Sequence, residues 1–310
     1  MTGLSDLIGL RTPERPGPGP MSEGVLRALD LSIQRRIDSL LVGDYRASGQ
    51  GEGTELAQVR PYQPGDDVRR IDWNVTARTQ QPHVRMYVAE RALTVWLVLD
   101  VSPSMHFGTA DRRKADVAEG VALAVAHLAT RRGNRLGVLT CGTSGVVVTP
   151  RPQGRSGLLG LLRALRQGPA EEGDPGTPLA ETLVRTRILA GQRASIVVVS
   201  DFRGSRQWRD PLRDLAGRHD VVAVEIQDPR EQEIPNVGHL SLIDPETGRQ
   251  LRIDTSNGRL RERFASAAAQ ERRELGLMLR GIGVDHLTLT TRGDWLREFA
   301  RFLAQRRRKR

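Results

Sequence analysis

Three short apolar runs limit the choice of fold more than any other feature of this 310-residue chain: LTVWLVLD (93–100), SIVVVSD (195–201) and DVVAVEI (220–226). Each is nearly continuous and rich in β-branched residues, the pattern of a strand buried on both faces, which parallel sheets require. Helical spacing lies between them. Val117, Val121, Ala124, Val125 and Leu128 share one face of residues 112–131, and further helices are expected near 155–166, 178–190, 206–217, 258–280 and 293–305. DHLTLT adds a strand, RLGVLTCG with GVVVTP reads as a hairpin, and LSLIDPETGRQLRID (240–254) reads as a second hairpin around Glu246-Thr247-Gly248. Strands alternating with helices predict an α/β fold, a doubly wound and mostly parallel sheet, over residues 92–305.

The N-terminal part has a different texture. Residues 1–20 are rich in Pro and Gly and are expected to be disordered. From Ser22, apolar residues recur at helical spacing through Val25, Leu29, Ile33, Ile37 and Leu40. Residues 46–55 read as a flexible break, and a β-rich strand-and-turn segment completes a region 21–91. Within it, PGDDVRRIDW sets Asp66, Asp67 and Asp72 beside Arg69 and Arg70. Either local ion pairs hold a turn there, or the segment is a docking or second acidic site. The first reading is favoured, and Trp73 is expected to pack on something.

The charge balance invites a nucleic-acid reading that the residues do not support. Net charge is +10, but only Lys114 and Lys309 are lysines, so the basic residues are almost entirely arginine, a skew that reads as the codon usage of a GC-rich genome rather than as selection for phosphate binding. A tail at 306–310 supplies five of those charges and reads as a solvated end. Aromatics make up 4% and are not interleaved with basic clusters, so stacking platforms are absent. Cys141 is the one cysteine, which excludes an internal disulfide and a cysteine-cluster metal site. No apolar stretch reaches the roughly 18 residues of a membrane span, and no secretory signal is visible, so a cytoplasmic protein is expected.

On an open α/β sheet, ligands sit at the carboxyl ends of the strands. Asp100 and Asp201 close two of the buried runs, Ser102 and Ser104 follow the first, and GDPGTPL delivers Thr177 just before a helix. Two carboxylates and three hydroxyls on one edge form an all-oxygen pocket suited to a hard cation: Mg²⁺, or alternatively Mn²⁺ or Ca²⁺. Hydroxyl ligands leave such an ion under-neutralised, so an incoming carboxylate would complete its shell. The competing reading is strand-end and helix-cap chemistry, since Asp, Ser and Thr are favoured caps.

Asp100-Val-Ser102-Pro-Ser104, then Thr177, then Asp201, resemble the metal-ion-dependent adhesion site of von Willebrand factor type A domains. The ordered series RPYQPGDDVRRIDWNVTAR, LDVSPSM, GTPL, VVVSDFR, HDVVAVEIQDP and LIDPETGRQLRIDT is similar to the bacterial family called domain of unknown function 58. The resemblance implies a von Willebrand A-like core behind a small β-rich segment. It implies direct metal contacts from Ser102, Ser104 and Thr177, with Asp100 and Asp201 acting directly or through water. It also implies partnership with a MoxR-type AAA+ ATPase, or with another protein that offers an Asp or Glu to the metal. Two departures stand out: many relatives carry membrane-spanning helices near the N-terminus, and many adhesion-type domains have Gly where this chain has Phe202, before Arg203.

The expected function is a non-enzymatic, metal-dependent interaction module. One alternative is a Mg²⁺-dependent phosphotransferase with Asp100 as nucleophile. Against it, Ser102 stands where such enzymes place a second Asp as general acid, and no lysine falls in the middle of the chain to offset phosphate charge. The other alternative is a basic nucleic-acid-binding protein, whose mark would be steep salt dependence.

Overall fold

The computed structural model describes residues 50–88, 94–130, 134–142, 148–149, 177–243 and 250–306, and these fall into two compact units. The expected helices at 22–40 and 155–166 and the turn at 246–248 lie outside the described residues. No described helix is long and apolar enough to cross a membrane.

The smaller unit pairs β1 (Gln50–Pro61) antiparallel with β2 (His83–Val88), and α1 (Trp73–Thr79) lies between them in sequence. The expected break at 46–55 is corrected here, because β1 already begins at Gln50. Gln50 and Glu55 both face Val88, so the pairing absorbs the glycine-rich run as an irregularity rather than stopping at it. The acids of PGDDVRRIDW pair with partners other than the expected ones. Arg60 grips Asp66 with two nitrogens at 2.9 and 2.7 Å. Asp67 accepts from the Arg69 backbone, and Asp72 caps α1 through Asn74 and Val75 while pairing with Arg85 at 2.9 Å. All three carboxylates therefore serve the turn and the helix start. Trp73 does not pack as expected: it is 70% exposed.

In the larger unit, six strands form one sheet: β3 (Thr94–Asp100), β4 (Arg135–Cys141), β5 (Val148–Thr149), β6 (Ser195–Ser200), β7 (Asp220–Gln227) and β10 (Asp285–Thr290), in the order β10-β7-β6-β3-β4-β5. The first five in that order run parallel, and the short β5 closes the edge antiparallel to β4. A separate hairpin pairs β8 (His239–Ile243) with β9 (Gln250–Asp254), as expected. The helices are α2 (Lys114–Thr130), α3 (Leu179–Leu189), α4 (Arg209–Ala216), α5 (Gly258–Gly281) and α6 (Trp295–Arg306).

Both faces of the sheet are covered. Trp96, Val98, Ile196, Val198, Val221 and Ala223 meet Leu183 of α3, Leu212 and Leu215 of α4, and Leu275 and Leu279 of α5 in one buried cluster. Leu97, Leu99, Val138 and Val224, on alternate positions, are equally buried on the other face, where α2 packs against the sheet and α6. This two-sided burial is the physical reason the strand sequences are continuous rather than alternating. Arg306, expected in a solvated tail, instead ends α6 buried, pairing with Asp220 at 2.5 Å and with Asp285 at the starts of β7 and β10.

Candidate metal centre

The chain lays down β3, then β4 on one side of it, then β6 on the other, so the winding direction reverses between β3 and β6. On open α/β sheets such a reversal is where ligand crevices form, beyond the carboxyl ends of the two strands. Asp100 is the last residue of β3 and Asp201 follows the last residue of β6, so the sheet topology delivers both carboxylates to this crevice.

Local hydrogen bonds orient them. One Asp100 oxygen accepts from the Ser102 backbone N–H at 3.0 Å, and the other accepts from the Ser200 hydroxyl at 2.6 Å. The Ser102 and Ser104 hydroxyls are 3.1 Å apart, with Ser102 also bonded to Asp100 and Ser104 to Asp201. Four of the five expected residues thus form one continuous run of oxygens. Thr177 reaches the same place through the backbone: its carbonyl accepts from Gly142 N–H at 2.9 Å, just past the end of β4. A Cβ on Gly142 would lie 2.4 Å from the Ser102 nitrogen, and its φ is +81°, so only glycine lets the three loops meet this closely. No side chain caps α3, whose cap position is Pro178, so capping does not account for Thr177.

Electrostatics sharpen the picture. Burial and the neighbouring Asp201 charge raise the Asp100 carboxyl above its ordinary value, outweighing its hydrogen bonds from Ser102 and Ser200. Burial would raise Asp201 as well, but the Lys114 ammonium and its hydrogen bond hold Asp201 below the usual range. Lys114 is fully buried, donating to Asp201 at 2.6 Å and to Glu231 at 2.7 Å. Arg203 sits at the rim, 43% exposed, its Nε 3.6 Å from the same Glu231 oxygen. Phe202 does not crowd the site. It adopts a left-handed φ of 53° that turns its ring into the core, edge-on to Trp208 at 5.3 Å. Cys141 is buried beside this edge, and burial pushes its thiol well above the ordinary value, keeping it a neutral side chain.

The donor chemistry fits a hard divalent cation: two mutually repelling carboxylates and the Ser102 and Ser104 hydroxyls, with Thr177 brought to the edge by Gly142. Among the described residues no group of three or more His, Cys, Asp or Glu side chains stands ready to hold a metal, so hydroxyls must supply part of any shell. Sequence reasoning missed Ser200, Glu231 and above all Lys114. One signal was available: it is a lone lysine in a chain whose other basic residues, Lys309 apart, are all arginine.

Fold and site together define an open-sheet α/β domain with an oxygen-rich crevice at its switch point. Residues 58–274, more than half of the chain, match the family described as "Protein of unknown function DUF58", and the protein belongs to that family. It is 41% identical over 291 residues to an uncharacterized protein of Mycobacterium tuberculosis, covering 93% of this chain and 91% of that one. An uncharacterized Mycobacterium avium protein is 37% identical over 161 residues, 51% of this chain and 94% of its own. Among solved structures, the hypothetical protein BatB from Bacteroides thetaiotaomicron aligns over 69% of this chain and 98% of its own at 15% identity and a TM-score of 0.43. The SpRpn10 VWA domain aligns over 69% of this chain and 95% of its own at 12% identity and a TM-score of 0.39.

Proposed function

We propose that the protein is a non-enzymatic interaction module that uses a divalent cation, Mg²⁺ foremost, to grip an acidic side chain of a partner protein. The observation that supports this most directly is the continuous run of Asp100, Ser102, Ser104 and Asp201 oxygens at the switch-point crevice. Ser102, Ser104 and Thr177 would hold the ion, with Asp100 and Asp201 contributing directly or through water. When bound, the cation supplies a coordination position for a carboxylate. The chain's own part is to hold the donors rigid: Ser200 and the Ser102 backbone fix Asp100, Lys114 and the Arg203 backbone fix Asp201, and Gly142 locks the Thr177 loop against Ser102. Such a site binds; it carries no general acid at the position where phosphotransfer requires one.

By resemblance to its family, the first candidate partner is a MoxR-type AAA+ ATPase. The test is affinity capture of the tagged protein from its host lysate in Mg²⁺, in EDTA, and with Asp100→Ala in Mg²⁺. Recovery of the ATPase in the first sample alone is expected. Equal recovery in all three would remove the metal from the interaction.

A further inference from the structure

Lys114 is the least expected group in the crevice. It is a primary ammonium with no exposure to solvent, bonded to Asp201 at 2.6 Å and Glu231 at 2.7 Å, on the first residue of α2. A buried ion pair of this kind is a poor route to stability, because desolvation consumes most of the Coulombic gain. Two carboxylates around one lysine leave a negative excess as well. With Asp100 added, the cluster holds three carboxylates against Lys114 and the rim residue Arg203. Fully ionised, that is one negative charge in surplus.

A divalent cation reverses the surplus to one positive charge, which is the charge an incoming carboxylate needs to meet. Without Lys114, the same ion would only neutralise the cluster, and a carboxylate would enter with no electrostatic gain. We infer that Lys114 is a built-in counter-charge that couples the two binding events: it weakens the hold on the ion and strengthens the hold of the ion-loaded site on an acidic ligand. Glu231 is the opposing weight. It shares the Lys114 ammonium and draws on Arg203, and it is fixed by accepting from the Asp228 backbone at 3.0 Å. Lys114 and Glu231 are positioning residues that act through charge on groups they do not replace. This inference rests on the metal-dependent reading above.

The two residues make opposite predictions. Mn²⁺ serves as the ion, titrated by its electron paramagnetic resonance signal, and acetate as the carboxylate, followed by the loss of water-proton relaxation as it displaces Mn²⁺-bound water. One buried charge a few ångströms away is worth about a factor of ten or more. Lys114→Met should therefore bind Mn²⁺ about tenfold more tightly and the Mn²⁺-loaded form should bind acetate about tenfold more weakly. Glu231→Gln, whose amide oxygen still accepts from Lys114, should do the reverse: weaker Mn²⁺, tighter acetate. A purely structural role moves both affinities in the same direction, or neither, and that result overturns the inference. If Lys114→Met does not fold, Glu231→Gln decides alone. A wild-type protein with no saturable Mn²⁺ site removable by Asp100→Ala would sink the metal-dependent reading itself, and the charge coupling with it.

Discussion

Phe202 holds a backbone φ of 53°, a region that costs a residue with a Cβ about 1 kcal/mol, in a place where a glycine would be free of strain. Its ring repays this by filling the core against Trp208. The balance decides a mutation: Phe202→Gly removes the strain but empties a buried aromatic site worth roughly 3 kcal/mol, so a net loss of about 2 kcal/mol is expected in denaturant unfolding. An unchanged midpoint would show that the turn, not the ring, governs this loop. Gly142 is the opposite case. Gly142→Ala drives a Cβ into the Ser102 backbone at a positive φ, so a loss of about 2 kcal/mol is expected in denaturant unfolding, and the proposed function requires weaker Mn²⁺ binding to accompany it. That Asp100, with Ser102 and Ser104 after it, and Asp201 share one sheet edge was legible in the sequence, because strand-end placement follows from apolar runs. Thr177 was signalled only by the GDPGTPL loop before a helix. The inward turn of Phe202 was not, since no local pattern states which way a side chain leaves a strained turn.

Elements are tied together at their ends by a few buried charges. Asp228, just after β7, accepts from the Thr109 N–H at 2.8 Å, the Thr109 hydroxyl at 2.6 Å, the Thr291 hydroxyl at 2.6 Å and the Arg230 N–H at 2.9 Å. Burial pushes its carboxyl up, but these donors outweigh it and leave it below the ordinary value. A depressed folded-state value means that this contribution to stability is complete above the unfolded carboxylate range and is lost as pH falls through the folded value. Acid unfolding of the wild type should therefore show a component that Asp228→Asn abolishes, at a cost of about 2 kcal/mol at neutral pH. Coincident acid transitions in the two proteins would contradict it. At the other end of the strands, Arg306 joins α6 to the starts of β7 and β10 through Asp220 and Asp285. Arg306→Ala leaves two acids behind, and about 3 kcal/mol is expected to be lost, read as a lowered thermal midpoint. The central strands β3, β6 and β7 were readable because burial on both faces writes a continuous apolar run into the sequence. The start of β1, residues 50–55, was not, because a glycine-rich stretch acquires strand geometry only from its partner β2, and a pairing between distant segments leaves no periodic trace.

Taken as a whole, the molecule spends its acids unevenly. The smaller unit places Asp66, Asp67 and Asp72 on internal duty, holding Arg60, the turn at Arg69, the start of α1 and Arg85. Among the described residues of that unit, Trp73, Val68, Arg69 and Arg78 are exposed, together with polar residues such as Gln63, Asp67, Asn74 and Gln81. The sequence showed the crowd of charges but not which would be consumed, because pairing with Arg60 and Arg85 depends on the fold of the whole segment. The other three tryptophans, Trp96, Trp208 and Trp295, are buried. Emission from Trp73 is therefore the one indole signal open to a charged quencher, and iodide should quench a single accessible fraction that Trp73→Phe removes. Because the side chain makes little contact with its own unit, the same substitution should leave the unfolding free energy within about 0.5 kcal/mol of wild type. A larger loss, or wild-type emission that iodide fails to reach, would mean that Trp73 is covered in solution by packing that its 70% exposure does not show.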